Sequence, residues 1–536
     1  MKKIKFFAAI ILALVTIIVS VLYFFYSSHY VGKALQLLGD IKFHEKIQQK
    51  DSEEIHQKKL VEKFYEKHQM AVIAEAKSKA LQKRNLLLEM INYADSLGLD
   101  PKDYHKKIID DFDRQLHNSE YTSEENLLRC EILFTDAAIS FLHDVAYGKE
   151  ISELSYNGIK LHVDTNKVTE ALKKVLTTNA WKEVIDSLEP AISEYQILKK
   201  IYQKLIKTIY VNRDIDTLLC RANDTVLILN KLQALSFISE DESTQLNKDS
   251  LYKISIGKFQ QSIGLPVTNN LDNKTIEALN VPLSYRLAQI RQSLNCWRWT
   301  NRVAERKLIL VNIPAANLRI IDRNAGNVSF MKVIVGKEQT RTPVFTAYLT
   351  KVITYPYWIP PYSIASKEIL PKVQKDISYL ERNGFVVLDK KGNQVDPRQI
   401  NWKNITAKNL TYTFRQGTGC DNSLGVMKFD LSSPYSIYLH DTNRRDLFFQ
   451  NNRHLSHGCI RVEKPFELAE FLLNKSVDTL YLSQCLKNEK PTHIKVNEKI
   501  PVLIFYMTAD INHEGKVEFY KDVYKKIPLE GKDLVI

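Results

Sequence analysis

The chain lacks a glycine-rich phosphate loop, any zinc-finger spacing and any aromatic run of the RNA-binding kind. Nucleic acid would therefore explain only its net charge of +13, and no nucleic-acid partner is expected. The same charge suits an anionic membrane surface or an acidic polymer. Cysteine is scarce. Cys130, Cys220, Cys296, Cys420, Cys459 and Cys485 include no two close enough for a C-x-x-C pair or a zinc ribbon. Six cysteines in 536 residues do not make a disulfide scaffold either. No metal site and no cofactor are expected. Hydrophobic residues at 44% and charged residues at 26% exclude disorder, and the length implies roughly two to four domains.

Long apolar runs are missing too, with one exception. Phe6–Tyr26 carries no charge, follows Lys2, Lys3 and Lys5, and as a helix would be about 31 Å long, the thickness of a bilayer core. The lysines place the N-terminus in the cytoplasm. No A-x-A cleavage site follows, so an uncleaved single-pass anchor is expected, with the rest of the chain outside the cytoplasm. A cleaved signal peptide is the alternative.

Residues 41–90 contain neither proline nor glycine and read as helix. Helical periodicity continues to about residue 240, with Leu86, Leu87, Met90, Ile91 and Ala94 forming one stripe, Gly98 ending it and Pro101 opening the next turn. The run "LLRCEILFTDAAISFLHDVAYG" reads as a core helix, because Arg129, Glu131, Asp136, His143 and Asp144 interrupt it too often for a membrane span. From about residue 217 the texture changes. "LYKISIGKFQQSIGLPVTNNLDNKTIEALN" reads as helix, Gly-Leu-Pro turn, polar loop and helix, with Asn273 as N-cap. Beyond residue 306, alternating β-branched strands dominate, and an antiparallel sheet is expected because long helices do not separate them. A helical stretch from about residue 362 interrupts the strands and could cap a site.

Cys459 stands out in "YLHDTNRRDLFFQNNRHLSHGCIRVEKP". A buried filler would have apolar neighbours, but these are Ser456, His457, Gly458 and Arg461. Nothing nearby specifies a disulfide partner. His440, His454, His457 and Cys459 offer metal-ligand types at spacings that match no zinc pattern. A nucleophile explains more. His440 ends the apolar strand "SIYLH" and can take the thiol proton from a neighbouring strand. Gly458 lets the backbone approach a substrate and lets successive N–H groups turn inward as an oxyanion hole. Arg461, two residues on, can face the same side and hold a carboxylate.

The motif of a histidine, eighteen intervening residues and a cysteine closing Ser-His-Gly-Cys resembles that of the L,D-transpeptidase family, the YkuD-type catalytic domain. "ALNVPLSYRLAQIRQSLNCWRW", "LILVNIPAANLRI", "VIVGKEQTRTPVF", "YPYWIPPYSIASKEILPK", "DNSLGVMKF" and "YSIYLHDT" resemble the large membrane-anchored, YcbB-like subgroup. Residues 217–282 resemble a small three-helix peptidoglycan-binding module through Phe259-Gln260, Gly264-Leu265-Pro266 and Thr275 with Leu279-Asn280, although Asn269-Asn270 and Asp272-Asn273-Lys274 replace its usual glycine turns.

The resemblance implies a multidomain α+β chain. Its parts are a cytoplasmic N-terminus and anchor (1–27), a helical scaffold (28–216), the binding module (217–282), a mainly antiparallel catalytic domain (306–486) with a helical capping insertion (about 362–400), and C-terminal strands (487–536) packed on the scaffold or catalytic domain. It implies Cys459 as nucleophile and His440 as proton donor and acceptor. Gly458 and Cys459 supply oxyanion N–H groups, helped by Tyr438. Ser456 and His457 shape the loop, while Trp358 and Arg461 meet substrate. Cys420 stands where proline is usual, and its role is open. The implied enzyme is a periplasmic, inner-membrane, cysteine-dependent acyltransferase. It would form 3→3 cross-links between peptidoglycan stem peptides through a thioester, and carbapenem-type β-lactams would inhibit it. An L,D-carboxypeptidase of the same fold, or a non-catalytic wall-binding scaffold, is the alternative.

Overall fold

The computed structural model describes residue 15 and residues 28–38, 55–74, 77–117, 123–325, 327–487 and 489–527. The expected membrane span Phe6–Tyr26 lies outside these residues apart from Val15. Among the described residues no helix is long and apolar enough to cross a membrane.

The helical part is organised around Glu124–Tyr147, which starts on the Ser123 side chain and ends at Gly148. Apolar residues occur all around this helix, so it is buried along most of its length, as such a helix must be. Two of its carboxylates, Glu131 and Asp136, are wholly buried as well, and their desolvation is offset by hydrogen bonds. Glu131 accepts the N–H groups of Val72, Ile73 and Ala74 at 2.6, 2.6 and 2.7 Å. Asp136 accepts those of His56 and Gln57 at 2.9 and 2.8 Å. The two carboxylates thereby hold the chain on either side of helix Lys58–His68. Gly98, with positive φ, ends the 3-10 turn Tyr93–Leu97 as the sequence suggests.

Residues 225–279 form four short helices, Thr225–Ala234, Glu240–Gln245, Lys248–Ser262 and Asn273–Leu279. The fully buried Gln260 binds the intervening loop in both directions. Its Nε2 donates to Asn270 O at 2.8 Å, and its Oε1 accepts from Thr268 N–H at 2.9 Å. The N-cap of the last helix is Asp272, not Asn273: Asp272 Oδ1 accepts from Thr275 N–H at 2.7 Å. The carboxylate one residue earlier reaches the third amide of the turn, the usual capping geometry.

The β part is a ten-stranded sheet. Its strands are β1 (Leu154–Asn157), β2 (Lys307–Asn312), β3 (Asn317–Asp322), β4 (Asn327–Gly336), β5 (Val344–Thr354), β9 (Met427–Leu431), β10 (Leu439–His440), β11 (His454–Ser456), β12 (Ile460–Val462) and β13 (Thr492–Phe505). The order is β1-β5-β13-β2-β3-β4-β12-β10-β9, with β11 beside β4, and pairing of β9 back onto β5 closes the sheet on itself. Three features depart from the sequence reading. β1 leaves the helical part to pair with β5. β13 does not pack on the domain but lies inside it, between β5 and β2. Val502, Leu503, Ile504 and Phe505 are wholly buried there, each contributing about 2 kcal/mol by burial. Finally, although most pairings are antiparallel, β1–β5, β11–β4, β13–β2 and β10–β12 are parallel. The hairpin β14 (Ala509–Ile511) and β15 (Val517–Phe519) follows.

The insertion after β5 holds helices Leu370–Lys375 and Ser378–Arg382 and a separate sheet of β6 (Phe385–Leu388), β7 (Gln394–Val395) and β8 (Thr413–Gln416). It has its own apolar core, in which Ile369, Val387, Trp402 and Phe414 are buried. The insertion therefore runs on to Gln416 rather than ending near residue 400. Its neck is closed where Gln416 N–H donates to Trp358 O at 2.8 Å.

Candidate active site

Three adjacent strands build the site, and alternation along each decides what faces it. Phe429 on β9, Leu439 on β10 and Ile460 on β12 are fully buried in the sheet's core. The residues between them point the other way. The β9–β10 register sets Lys428 opposite His440, and the parallel β10–β12 register sets Arg461 opposite His440. One step back, Ile460 N–H donates to Tyr438 O at 3.1 Å, which brings Cys459 beside Tyr438. Tyr438, His440, Cys459, Arg461 and Lys428 thus gather on one face from segments as much as 33 residues apart.

Cys459 is half-buried, whereas the other free cysteines, Cys130, Cys220 and Cys296, are buried. Burial pushes the Cys459 thiol above its ordinary pKa, opposed by the amide and hydroxyl of Tyr438 and by the cations Lys428 and Arg461. The thiol points to Ser436 O at 3.6 Å rather than to His440. His440 occupies the adjacent diagonal position, about 7 Å away by strand geometry, so a side-chain rotation separates them rather than a backbone change.

His440 is buried, and its Nδ1 lies 2.5 Å from the carbonyl oxygen of Asp441. A carbonyl only accepts, so Nδ1 carries the proton and Nε2 offers a lone pair. Burial first, then Arg461 and Lys428, hold the imidazolium far from favour, with a pKa lowered to about 3. Sequence reasoning could not assign the group behind the base. Asp441 supplies it and is itself clamped: its carboxylate accepts from Val426 N–H at 3.0 Å and from Arg445 at 2.6 Å. Gly425 is required there, since a Cβ on it would lie 2.2 Å from Asp441 Oδ2.

The loop residues take unequal parts. Gly458 has φ +113, which favours glycine, but its N–H donates to Ser456 Oγ at 3.0 Å. Its expected oxyanion role is therefore already spent on the loop, leaving the Cys459 N–H, for which no acceptor occurs among the described residues. Ser456 is buried, and its Oγ donates in turn to Cys459 O at 2.6 Å, so it shapes the turn. His457 points outward and contacts Glu368 of the insertion at 2.6 Å. Tyr438 donates its hydroxyl to Cys459 and accepts from Trp358, and burial and the thiol both raise its pKa. Trp358 packs on Phe385 of the insertion with ring centres 6.0 Å apart, so it joins the insertion to the site. Arg461 is half-buried with an unpartnered Nε.

Cys420 is paired with Cys485, Cα atoms 4.9 Å apart, so its open role resolves into a disulfide. It ties the turn between β8 and β9 to the segment entering β13. Replacing both cysteines by serine is expected to lower stability by up to about 4 kcal/mol, from the loop the bond closes. Thermal unfolding with and without reductant checks this: reductant should shift the wild type and leave the double variant unmoved.

For metals, the described residues offer one group, His56, His105 and Asp136, whose ligand atoms lie within 4.8 Å of one another. The Asp136 oxygens are already taken by two backbone amides and by His105 Nε2 at 2.7 Å. Asp136 and His105 form a buried pair that anchors a helix of the helical part.

Residues 306–496 match the L,D-transpeptidase catalytic domain family, YkuD, and residues 59–201 match a scaffold domain family. A Haemophilus influenzae protein named "Putative L,D-transpeptidase" is 38% identical over 217 residues, covering 40% of this chain and 44% of that protein. The chain thus spans less than half the length of the curated relative it matches. Residues 306–496, with the strands that carry Cys459, His440 and the Ser456–Gly458 turn, thus match the L,D-transpeptidase catalytic domain of YkuD type.

Proposed function

We propose that this protein is a cysteine-dependent L,D-transpeptidase of the cell wall. The observation that carries the reading is the parallel β10–β12 register, which aligns Cys459 with Tyr438 and Arg461 with His440 on one face. The Cys459 proton passes to His440 Nε2, and the sulfur attacks the carbonyl carbon between the L-centre of diaminopimelate and the terminal D-alanine of a tetrapeptide stem. The developing oxyanion accepts from Cys459 N–H and from the Tyr438 hydroxyl, released from the sulfur. D-Alanine leaves with the proton from His440, and a thioester remains. An amine of a second stem attacks it and gives its proton to His440, the C–S bond breaks as the 3→3 amide forms, and the Cys459 sulfur takes that proton back. Arg461 holds a stem carboxylate and Trp358 lines the donor pocket.

Transfer is favoured over hydrolysis by the insertion, which reaches the site through the Trp358–Tyr438 bond and the His457–Glu368 contact and keeps water from the thioester. The chain is placed in the inner membrane by Phe6–Tyr26, with the catalytic part in the periplasm, where the Cys420–Cys485 bond can form. Residues 217–282 serve as a wall-binding module of the YcbB-like arrangement.

The test incubates the full-length chain, and Cys459→Ala, with purified disaccharide tetrapeptide and reads products by mass spectrometry. A cysteine-dependent dimer lacking one D-alanine is expected. A cysteine-dependent tripeptide alone would make it a carboxypeptidase. Substrate retained without reaction by both proteins would leave a binding scaffold.

A further inference from the structure

We propose that Lys428 is a positioning residue for the proposed reaction, holding a fixed positive charge that stabilises the Cys459 thiolate once its proton has gone to His440. Sequence gives Lys428 no more notice than any other charged residue in a strand. The β9–β10 register, however, sets it directly opposite His440 on the face that carries Cys459. Its Nζ sits 4.3 Å from the centre of the Tyr438 ring, the ring whose hydroxyl donates to the sulfur. Asp430, two residues along the same strand, grips the ammonium at 2.8 Å, so the charge is held in place rather than swinging into solvent.

The surrounding charges make this one matter. His440 is buried and also flanked on both neighbouring strands by cations, Arg461 and Lys428, and so rests uncharged. A resting thiolate–imidazolium pair, the usual way to activate a cysteine, is not available here. When the S–H bond breaks and the N–H bond forms on Nε2, the electron pair left on sulfur needs nearby positive charge. Arg461 supplies part, but it also faces Arg444, whose like charge opposes it. Arg444 is itself paired with Asp446, and Asp441 with Arg445. His457 and Glu368 form their own contact at the loop. Lys428 is the cation that touches the Tyr438 ring and answers to a single acid, Asp430.

The proposal rests on Cys459 being the reacting thiol, but its test does not need turnover. The full-length chain is treated with iodoacetamide across a pH series, and alkylation of the Cys459 peptide is followed by mass spectrometry. Lys428→Met should raise the midpoint of that profile by about one pH unit. Lys428→Arg should stay near wild type, and Asp430→Asn, which frees the ammonium from its acid, should lower the midpoint. Buried Cys130, Cys220 and Cys296 should stay unmodified in each variant if the fold is intact. A purely structural lysine would expose those thiols or slow alkylation at every pH without moving the midpoint, and that result overturns the proposal. If Lys428→Met does not fold, an unmoved midpoint in Asp430→Asn overturns it as well. Failure of the cross-linking assay with a shifted midpoint would reject the transpeptidase reading and leave this one standing.

Discussion

Cys459→Ala is expected to abolish cross-linking, with kcat/KM falling roughly 10⁴-fold or more, because no other group on that face can form the thioester. Cys459→Ser should lose nearly as much, since a hydroxyl is far less acidic than a thiol and the neutral His440 is a weak base for it. Folding should be little changed. The side chain is small and half-buried, and alanine gives up only its weak contacts with Ser436 O and Tyr438. Intact-mass measurement with a carbapenem gives a second readout. Wild type should gain one covalent adduct and Cys459→Ala none. Adduct on the alanine variant would mean that the nucleophile lies elsewhere.

His440→Gln is expected to slow acyl transfer by about 10³-fold, in the range for losing a general base. Glutamine can still donate to the Asp441 carbonyl, so the loss should fall on kcat rather than on stability at neutral pH. The pH dependence gives a sharper test. With a pKa lowered to about 3, His440 is uncharged throughout the neutral and mildly acid range, so kcat/KM should show no acid limb near the ordinary histidine value of about 6.5. Stability follows the same shift. Below about pH 6.5 the unfolded histidine binds a proton that the folded one refuses, so stability is full above that pH and declines as pH falls towards 3. The slope from this one group is at most about 1.4 kcal/mol per pH unit. Unfolding wild type and His440→Gln by denaturant between pH 7 and 4.5 isolates it. His454 and His68, also lowered by burial, act equally in both proteins and cancel in the difference. Parallel stability curves would mean that the imidazole is solvated and charged.

The Trp358–Tyr438 bond and the His457–Glu368 contact give the insertion two points of attachment at the site. One comes from the neck and the other from within the insertion.

Local pattern sufficed for much of this. The apolar run through residues 127–148 declared a buried helix because its hydrophobicity surrounds the axis and its charges are too frequent for lipid. The Ser456–Cys459 turn and His440 at a strand's end pointed to a candidate nucleophile and base, because a glycine beside a thiol and a histidine ending an apolar strand are legible within a few residues. Pairings between distant segments were not legible in this way. Lys428 and Arg461 meet at His440 only through the β9–β10–β12 register, and a one-residue slip would send each to the opposite face. The Cys420–Cys485 bond joins positions 65 residues apart that carry no mark of belonging together. β13 reads as a plain apolar strand, and its place between β5 and β2 follows from which edges the earlier strands left unpaired. What the sequence determined by itself were the conformations and chemical types set within a turn or a strand. The tertiary structure alone decided which of those groups lie within reach of one another, and with that the charge on His440 and the surroundings of Cys459.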